Sequence, residues 1–582
     1  MNKRPAVRTS TQTGGNASFL LKQLARIAFD FSAAAARSKA ALLRSLHSSE
    51  IMVADRLQTY HDLLCFVRAY PQDRIQLEFA ESELRRFGDR IRLYKMRSRD
   101  HQAEKLENSG IAETTLIHPY SLDLATMLVK WYRGKLEIDW NNYDDNESGS
   151  ISALLPLCVL WQENDILDND LTLEARDWLT RARTGAKGTE LATILNLLAH
   201  SRLPRAISRY LYESGDLPIR WQLGSATASR TLCRLPYRKP FYQTTALLGR
   251  TADLRAELRR PPAPLRRLSG SDAERYVRCV NETLAVRVRE LFCITGANPG
   301  EVYVCEPGRS VQIAIFGSNP DIRLPLEANF GAMLVRNDLP IGYGVGAVLF
   351  DRVEIAINIF PAFRGGESAF VIEQFFKLFY HHFGSRVFLV RSRQMGDGDD
   401  EPIQSGAFWF YNKLGFRPVR AEIRALAERE RTRIAADPEY RCSVRTLKRL
   451  SKSDVVMTAN PEQMNDFTEL SLVNLGYRVT NLVASKYDNN RDRATRESTW
   501  KMVSILRIAH PERWSADERI ALERLSPLLS CIRDLPRWSR ADKASLAQLI
   551  RAKGSDRERD FVLRSNRHPR FRDAIEELAR AL

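Results

Sequence analysis

Val353-Glu-Ile-Ala-Ile-Asn-Ile-Phe360 runs into Pro361-Ala-Phe-Arg-Gly-Gly-Glu-Ser368 and then into AFVIEQFFKLFYHHF over residues 369–383. The first segment is apolar and β-branched, which predicts a strand that stops at Pro361. From Ser368 onward Phe370, Val371, Phe375, Leu378, Phe379 and Phe383 recur at helical spacing. Strand, Gly-rich turn and helix, in that order, aim backbone N–H groups at the helix start toward an anionic ligand. A second apolar strand follows at Val387-Phe-Leu-Val390, and then Ser405-Gly-Ala-Phe-Trp-Phe-Tyr-Asn-Lys-Leu-Gly-Phe-Arg-Pro-Val419.

Upstream of this stretch, strand-like segments begin near Gly300: Glu301 to Cys305, Val311 to Phe316, Phe330 to Arg336 and Ile341 to Phe350. Asn337-Asp338 suits a hairpin turn between two of them, and Asp351-Arg352 a second tight connection. Outside this region the period is helical. Phe19, Leu20, Leu24, Ile27, Ala28 and Phe31 mark one amphipathic helix, Tyr60 to Tyr70 another, and segments after Val419 give more. Leu258 to Gly270 (LRRPPAPLRRLSG) has three prolines among four arginines and reads as a stiff, solvated linker. Ser271 with Glu274 has capping-box spacing and predicts a helix to about Phe292. The expected division is a flexible basic tail (1–18), a helical domain (19–255), the linker (256–270), an α+β domain (271–425) and a helical C-terminal region (426–582).

The central region resembles the GNAT superfamily of acyl-CoA-dependent N-acetyltransferases. Ile359, Pro361, Phe363, Arg364, Gly365 and Ala369 match the family's turn motif, and Ala407, Tyr411, Lys413, Gly415 and Phe416 match its later helix ending in Gly-Phe. The resemblance covers about a quarter of the chain. It implies a mixed, mostly antiparallel sheet flanked by helices, with acyl-CoA between the splayed fourth and fifth strands. By the resemblance, Ile359, Phe363, Arg364, Gly365, Gly366, Glu367, Ser368 and Ala369 would bind acetyl-CoA or another acyl-CoA as co-substrate. Tyr411 would protonate the departing thiolate. Glu354, or alternatively Asp351, would take the proton of the attacking amine. Glu367 departs from the motif, which has glycine there. A carboxylate beside a pyrophosphate repels it, so Glu367 is expected to point away or to be neutralised, with Arg364 the nearest partner in sequence; glycine at 367 is expected to tighten acyl-CoA binding. Asp399, Asp400 and Glu401 lie in an acidic loop before the Tyr411 helix and are expected to face a cationic amine acceptor.

A chain of 582 residues exceeds one ordinary core, and 44% hydrophobic with 9% aromatic residues belongs to a folded globular protein. The formal net charge of +17 suits anionic partners such as CoA or nucleic acid. Nucleic-acid contact is left open, because the basic runs near Arg255–Arg267, Arg429–Arg433 and Arg564–Arg572 carry no recognition motif. Eight cysteines without C-x-x-C pairs or a histidine nearby at zinc-ligand spacing point to reduced thiols, no metal site and a cytoplasmic setting. No apolar run approaches the ~18 residues of a membrane span. The expected function is acyl transfer from acyl-CoA to an unidentified amine. The alternatives are a non-catalytic GNAT-like scaffold and a basic nucleic-acid-associated protein.

Overall fold

The structure, a computed structural model, describes residues 12–98, 102–144, 151–169, 174–183, 188–225, 227–235, 239–251, 253–437, 439–464 and 467–580. Two sheets organise it. The smaller has three strands, β1 (Thr115–His118), β2 (Leu136–Ile138) and β3 (Ile219–Gln222), in the order β1-β3-β2, all antiparallel. This sheet lies inside the region expected to be wholly helical. Its strands have three or four residues, too short for alternation to register against the surrounding helical period.

The larger sheet comprises β4 (Leu265–Arg267), β5 (Ala297–Gly308), β6 (Val311–Ser318), β7 (Ala328–Arg336), β8 (Leu339–Leu349), β9 (Arg352–Ile359), β10 (Val387–Val390), β11 (Arg417–Pro418) and β12 (Val455–Thr458). Their spatial order is β4-β5-β6-β7-β8-β9-β10-β12-β11. Every neighbouring pair is antiparallel except β9 with β10. The overall class is thus α+β, with a mostly antiparallel sheet flanked by helices. Arg309-Ser310 and Asn337-Asp338 close the β5–β6 and β7–β8 hairpins with positive φ at both positions, the turn whose twist matches the flanking strands. The helix Ser368–His382 crosses β8 closely enough that any side chain at Gly346 would run into the Phe379 ring.

Three expected boundaries are corrected. The chain is helical from Gln12, so residues 12–18 of the expected tail belong to a helix, and the rest of that expected tail, 1–11, lies outside the described residues. The Pro/Arg-rich segment is not a free linker: it contains the end of helix Leu254–Arg259 and edge strand β4, and it is pinned by His381 and His382, whose Nε2 atoms reach the carbonyls of Leu258 (2.7 Å) and Ala263 (2.9 Å). The α+β unit does not end near 425, because β12 returns after two helices to pair with β10. The helix expected from Ser271 runs Gly270–Ala285 and has no side-chain cap at Ser269.

Both helical flanks are fastened to the large sheet. One continuous apolar core joins the first helices, the sheet and the C-terminal helices, whereas residues 116–233 have mostly their own core. On the N-terminal side, helix Ala54–Ala69 ends with buried Arg68, which donates to the Asn337 carbonyl (2.8 Å) and to Asp338 (2.9 Å). On the C-terminal side, buried Glu301 of β5 accepts the backbone N–H groups of Glu558 and Arg559, both at 2.8 Å, at the start of helix Glu558–Ser565. Arg323 beside it donates to the Lys553 carbonyl at 2.8 Å.

Candidate functional site

The parallel pair β9–β10 is in register only from Arg352 with Val387 to Glu354 with Leu389. Beyond that point only Val390 of β10 remains, while β9 continues to Ile359 along β8 alone, so the last five residues of β9 have no strand partner on that side. The Gly-rich turn and the start of helix Ser368–His382 lie at the end of β9, so the sequence motif sits at the opened end of the sheet. Among the described residues the backbone N–H groups of Ser368, Ala369 and Phe370 have no hydrogen-bond acceptor, as expected of a first helical turn without a capping side chain.

Glu367 points inward and is fully buried. Its carboxylate takes hydrogen bonds from Arg309 Nε (2.9 Å) and the Leu248 amide (2.9 Å), and Arg336 Nη1 lies 3.0 Å away. Burial alone would raise its pKa; the Arg309 hydrogen bond, the Leu248 amide and the Arg336 charge overcome that and hold it below the usual carboxylate range. The expected neutralisation is therefore present, but Arg364 is not its source. Arg364 Nε instead donates to the Ile359 carbonyl at 3.0 Å, and Arg364 Nη2 pairs with Glu401 at 2.7 Å. Arg364 thus lies on the unpaired edge of β9, where the resemblance would place the pantetheine arm.

The turn is also covered from the N-terminal helices. Phe29 stands over Gly365, which has φ +88°. A side chain at Gly366 would meet the Tyr70 hydroxyl at 2.6 Å. The Glu367 N–H donates to that hydroxyl at 3.1 Å. Phe363 is buried in the core rather than open to a ligand. These partners lie about 300 residues upstream in sequence, and no local signal announces them. Arg336 offered a faint one: an arginine closing an otherwise apolar strand needs a buried acid or carbonyl.

Glu354 and Tyr411, the expected catalytic residues, each have other partners. Glu354 stands where the pairing with β10 ends, but it is bound to Arg391 at 2.6 Å, which also holds Asp454 at 2.8 Å. Asp351, the alternative base, pairs with Arg572 at 2.8 Å. Tyr411 is buried in helix Ala407–Lys413 with its ring edge-on to Phe410 and Phe416, and burial pushes its phenol pKa up. A phenolate left there would be a buried anion without a counter-charge, which opposes proton donation.

The acidic loop is engaged as well. Asp399 caps the short helix Asp400–Gln404 through the Glu401 amide at 2.9 Å. Asp400 pairs with Lys448 at 2.8 Å, and Glu401 pairs with Arg364 and reaches Arg289 at 4.0 Å. Asp400 and Glu401, expected to receive a cationic amine, each have a half-exposed ion pair with a cation of the protein. All eight cysteines are free thiols. Among the described residues no group of three or more His, Cys, Asp or Glu is placed to hold a metal, and no helix is long and apolar enough to cross a membrane. Comparison of the chain with protein-family models, with curated proteins and with solved structures finds no match.

Proposed function

We propose that the large sheet and its helices form a GNAT-like domain that binds acyl-CoA and passes its acyl group to an amine. The edge of β9 left without a strand partner past the end of β10, beside a helix start with three unpaired N–H groups, carries this reading. The inward turn of Glu367 supports it, because the one carboxylate that would repel a pyrophosphate is buried and paired. The Ser368, Ala369 and Phe370 amides would hold the pyrophosphate, helped by the helix dipole. Arg364 would leave the Ile359 carbonyl as pantetheine pairs with the strand edge; its ion pair with Glu401 is more than a third exposed on both sides and is weakly held. The amine nitrogen bonds to the acyl carbon as the C–S bond breaks; with Glu354 committed to Arg391 and Tyr411 buried, water takes the amine proton and the thiolate departs to solvent, where it is protonated.

Ser368→Asp tests the proposal. A carboxylate in the first helical turn favours the helix, so thermal stability should hold or rise. Facing the pyrophosphate, it should weaken acetyl-CoA binding at least ~tenfold, since like charges ~4–5 Å apart at effective ε ~20 repel by a few kcal/mol. Titration calorimetry of both proteins decides. Equal affinity in wild type and variant, or no binding by wild type at millimolar acetyl-CoA, rejects the proposal. The latter outcome favours the scaffold reading, which has its own supporting observation: Tyr70 and Phe29 pack on the turn as they would in a permanent joint.

A further inference from the structure

A cleft of about 400 Å³ opens between Thr227–Arg234 and helix Gly270–Ala285, and it shares no lining residue with β9 or β10. Arg234, Arg275 and Arg278 line it. Glu282 is the acid in its wall, and this carboxylate is already engaged: it accepts from the Tyr132 hydroxyl and from Arg278 Nε at 2.7 Å. Cys233 and Cys279 also line the cleft, and burial pushes the first thiol up to about 11 and the second well above its ordinary value. Both are neutral at physiological pH, so the cleft has an excess of positive charge.

Arg234 is the distinctive member. Among the described residues its guanidinium makes one hydrogen bond, to the carbonyl of its neighbour Cys233 at 2.9 Å, and has no carboxylate partner within ion-pair distance. Asp338, an acid that acts on it from nearby, is bound by Arg68 through both oxygens. Burial, and then the charge of Arg68, lower the Arg234 pKa to about 10, the mark of a cation short of counter-charge. Arg275 is exposed and has no hydrogen bond or ion pair among the described residues. Unpaired guanidiniums at a concave wall present the fork that carboxylate and phosphate oxygens accept. We propose that this cleft binds a small polyanion bearing phosphate or carboxylate groups, with Arg234 as the inner contact and Arg275 and Arg278 at the rim.

The test is thermal unfolding and titration calorimetry of the full chain with inorganic pyrophosphate and with citrate, each against sodium chloride at matched ionic strength. Wild type should be stabilised by pyrophosphate beyond the chloride control. Arg234→Gln removes an uncompensated cation, so the unliganded variant should melt at the same or a higher temperature and bind at least ~tenfold more weakly, the loss of one charge-assisted hydrogen bond. Arg275→Gln, an exposed change that leaves the fold intact, should weaken binding up to ~fivefold. Ser368→Asp must retain the effect, which separates this cleft from the proposed acyl-CoA site. A response to both anions identifies charge as the recognised feature, and a response to pyrophosphate alone identifies phosphate; either supports the site. The proposal falls if neither anion exceeds the chloride control, if both arginine variants bind like wild type, or if Ser368→Asp alone abolishes the effect.

Discussion

Glu367→Ala should destabilise the protein by about 3–5 kcal/mol, the usual cost of removing one partner of a buried ion pair. The Arg336 side chain is fully buried, and without Glu367 its nearest acceptor is Gln243 Oε1 at 3.0 Å, a neutral group. The Leu248 amide would lose its acceptor at the same time. A clear fall in denaturant midpoint is expected, and Glu367→Gly should behave alike. This reverses the expectation from the motif, in which glycine at 367 tightens acyl-CoA binding. Replacing both partners, as Glu367→Leu with Arg336→Met, should recover part of the loss, because it leaves no buried charge at either position, while Arg309 and the Leu248 amide still lose their acceptor. If Glu367→Ala unfolds at the wild-type denaturant midpoint, this network does not hold the turn. In wild type the pair's contribution is present above the unfolded carboxylate pKa and is lost as pH falls through the depressed folded value.

Glu301 should produce the opposite pH dependence. Burial raises its pKa to about 7 against the amides of Arg559 and Glu558 and the charge of Arg323, which pull it down. A carboxyl whose folded pKa is raised adds stability below its unfolded value near 4.5, and that stability is lost as pH rises through about 7. The span corresponds to roughly 3 kcal/mol at ~1.4 kcal/mol per unit. Glu301→Gln stays neutral and can still accept N–H bonds from the helix start. Its denaturant midpoint should be nearly flat from pH 5 to 8 where wild type declines, and at pH 8 it should exceed wild type. Parallel pH profiles for the two proteins would show that Glu301 remains ionised in the folded state, held by Arg323. Since Glu301 seats helix Glu558–Ser565 on β5, proteolysis should release the C-terminal region of wild type more readily at pH 8 than at pH 5.

The strands from Val311 to Phe316 and from Val387 to Val390, the helix from Ser368 and the Asn337-Asp338 turn were legible because each is encoded locally. Alternation, helical period and turn chemistry act over a few residues. Strand β12 was not, since Val455-Val-Met-Thr458 is a four-residue apolar run between helices and becomes a strand only because β10 offers it an edge. The site divides along the same line. The sequence located the Gly-rich turn and the odd carboxylate within it. It could not supply the direction of that carboxylate, because Arg309, Arg336 and Tyr70 are distant in the chain and nothing near residue 367 competes with them. Nor could it foresee that Glu354 and the Asp399–Glu401 loop would already be paired, because the pairing depends on which of 88 basic residues folding brings within 4 Å. By itself the sequence determined the strands from Glu301 to Val390, the helix that starts at Ser368 and the place of the turn between them. The tertiary structure alone decided which charges are buried, and with which partners, because a buried ion is stable only where folding brings its counter-charge into contact.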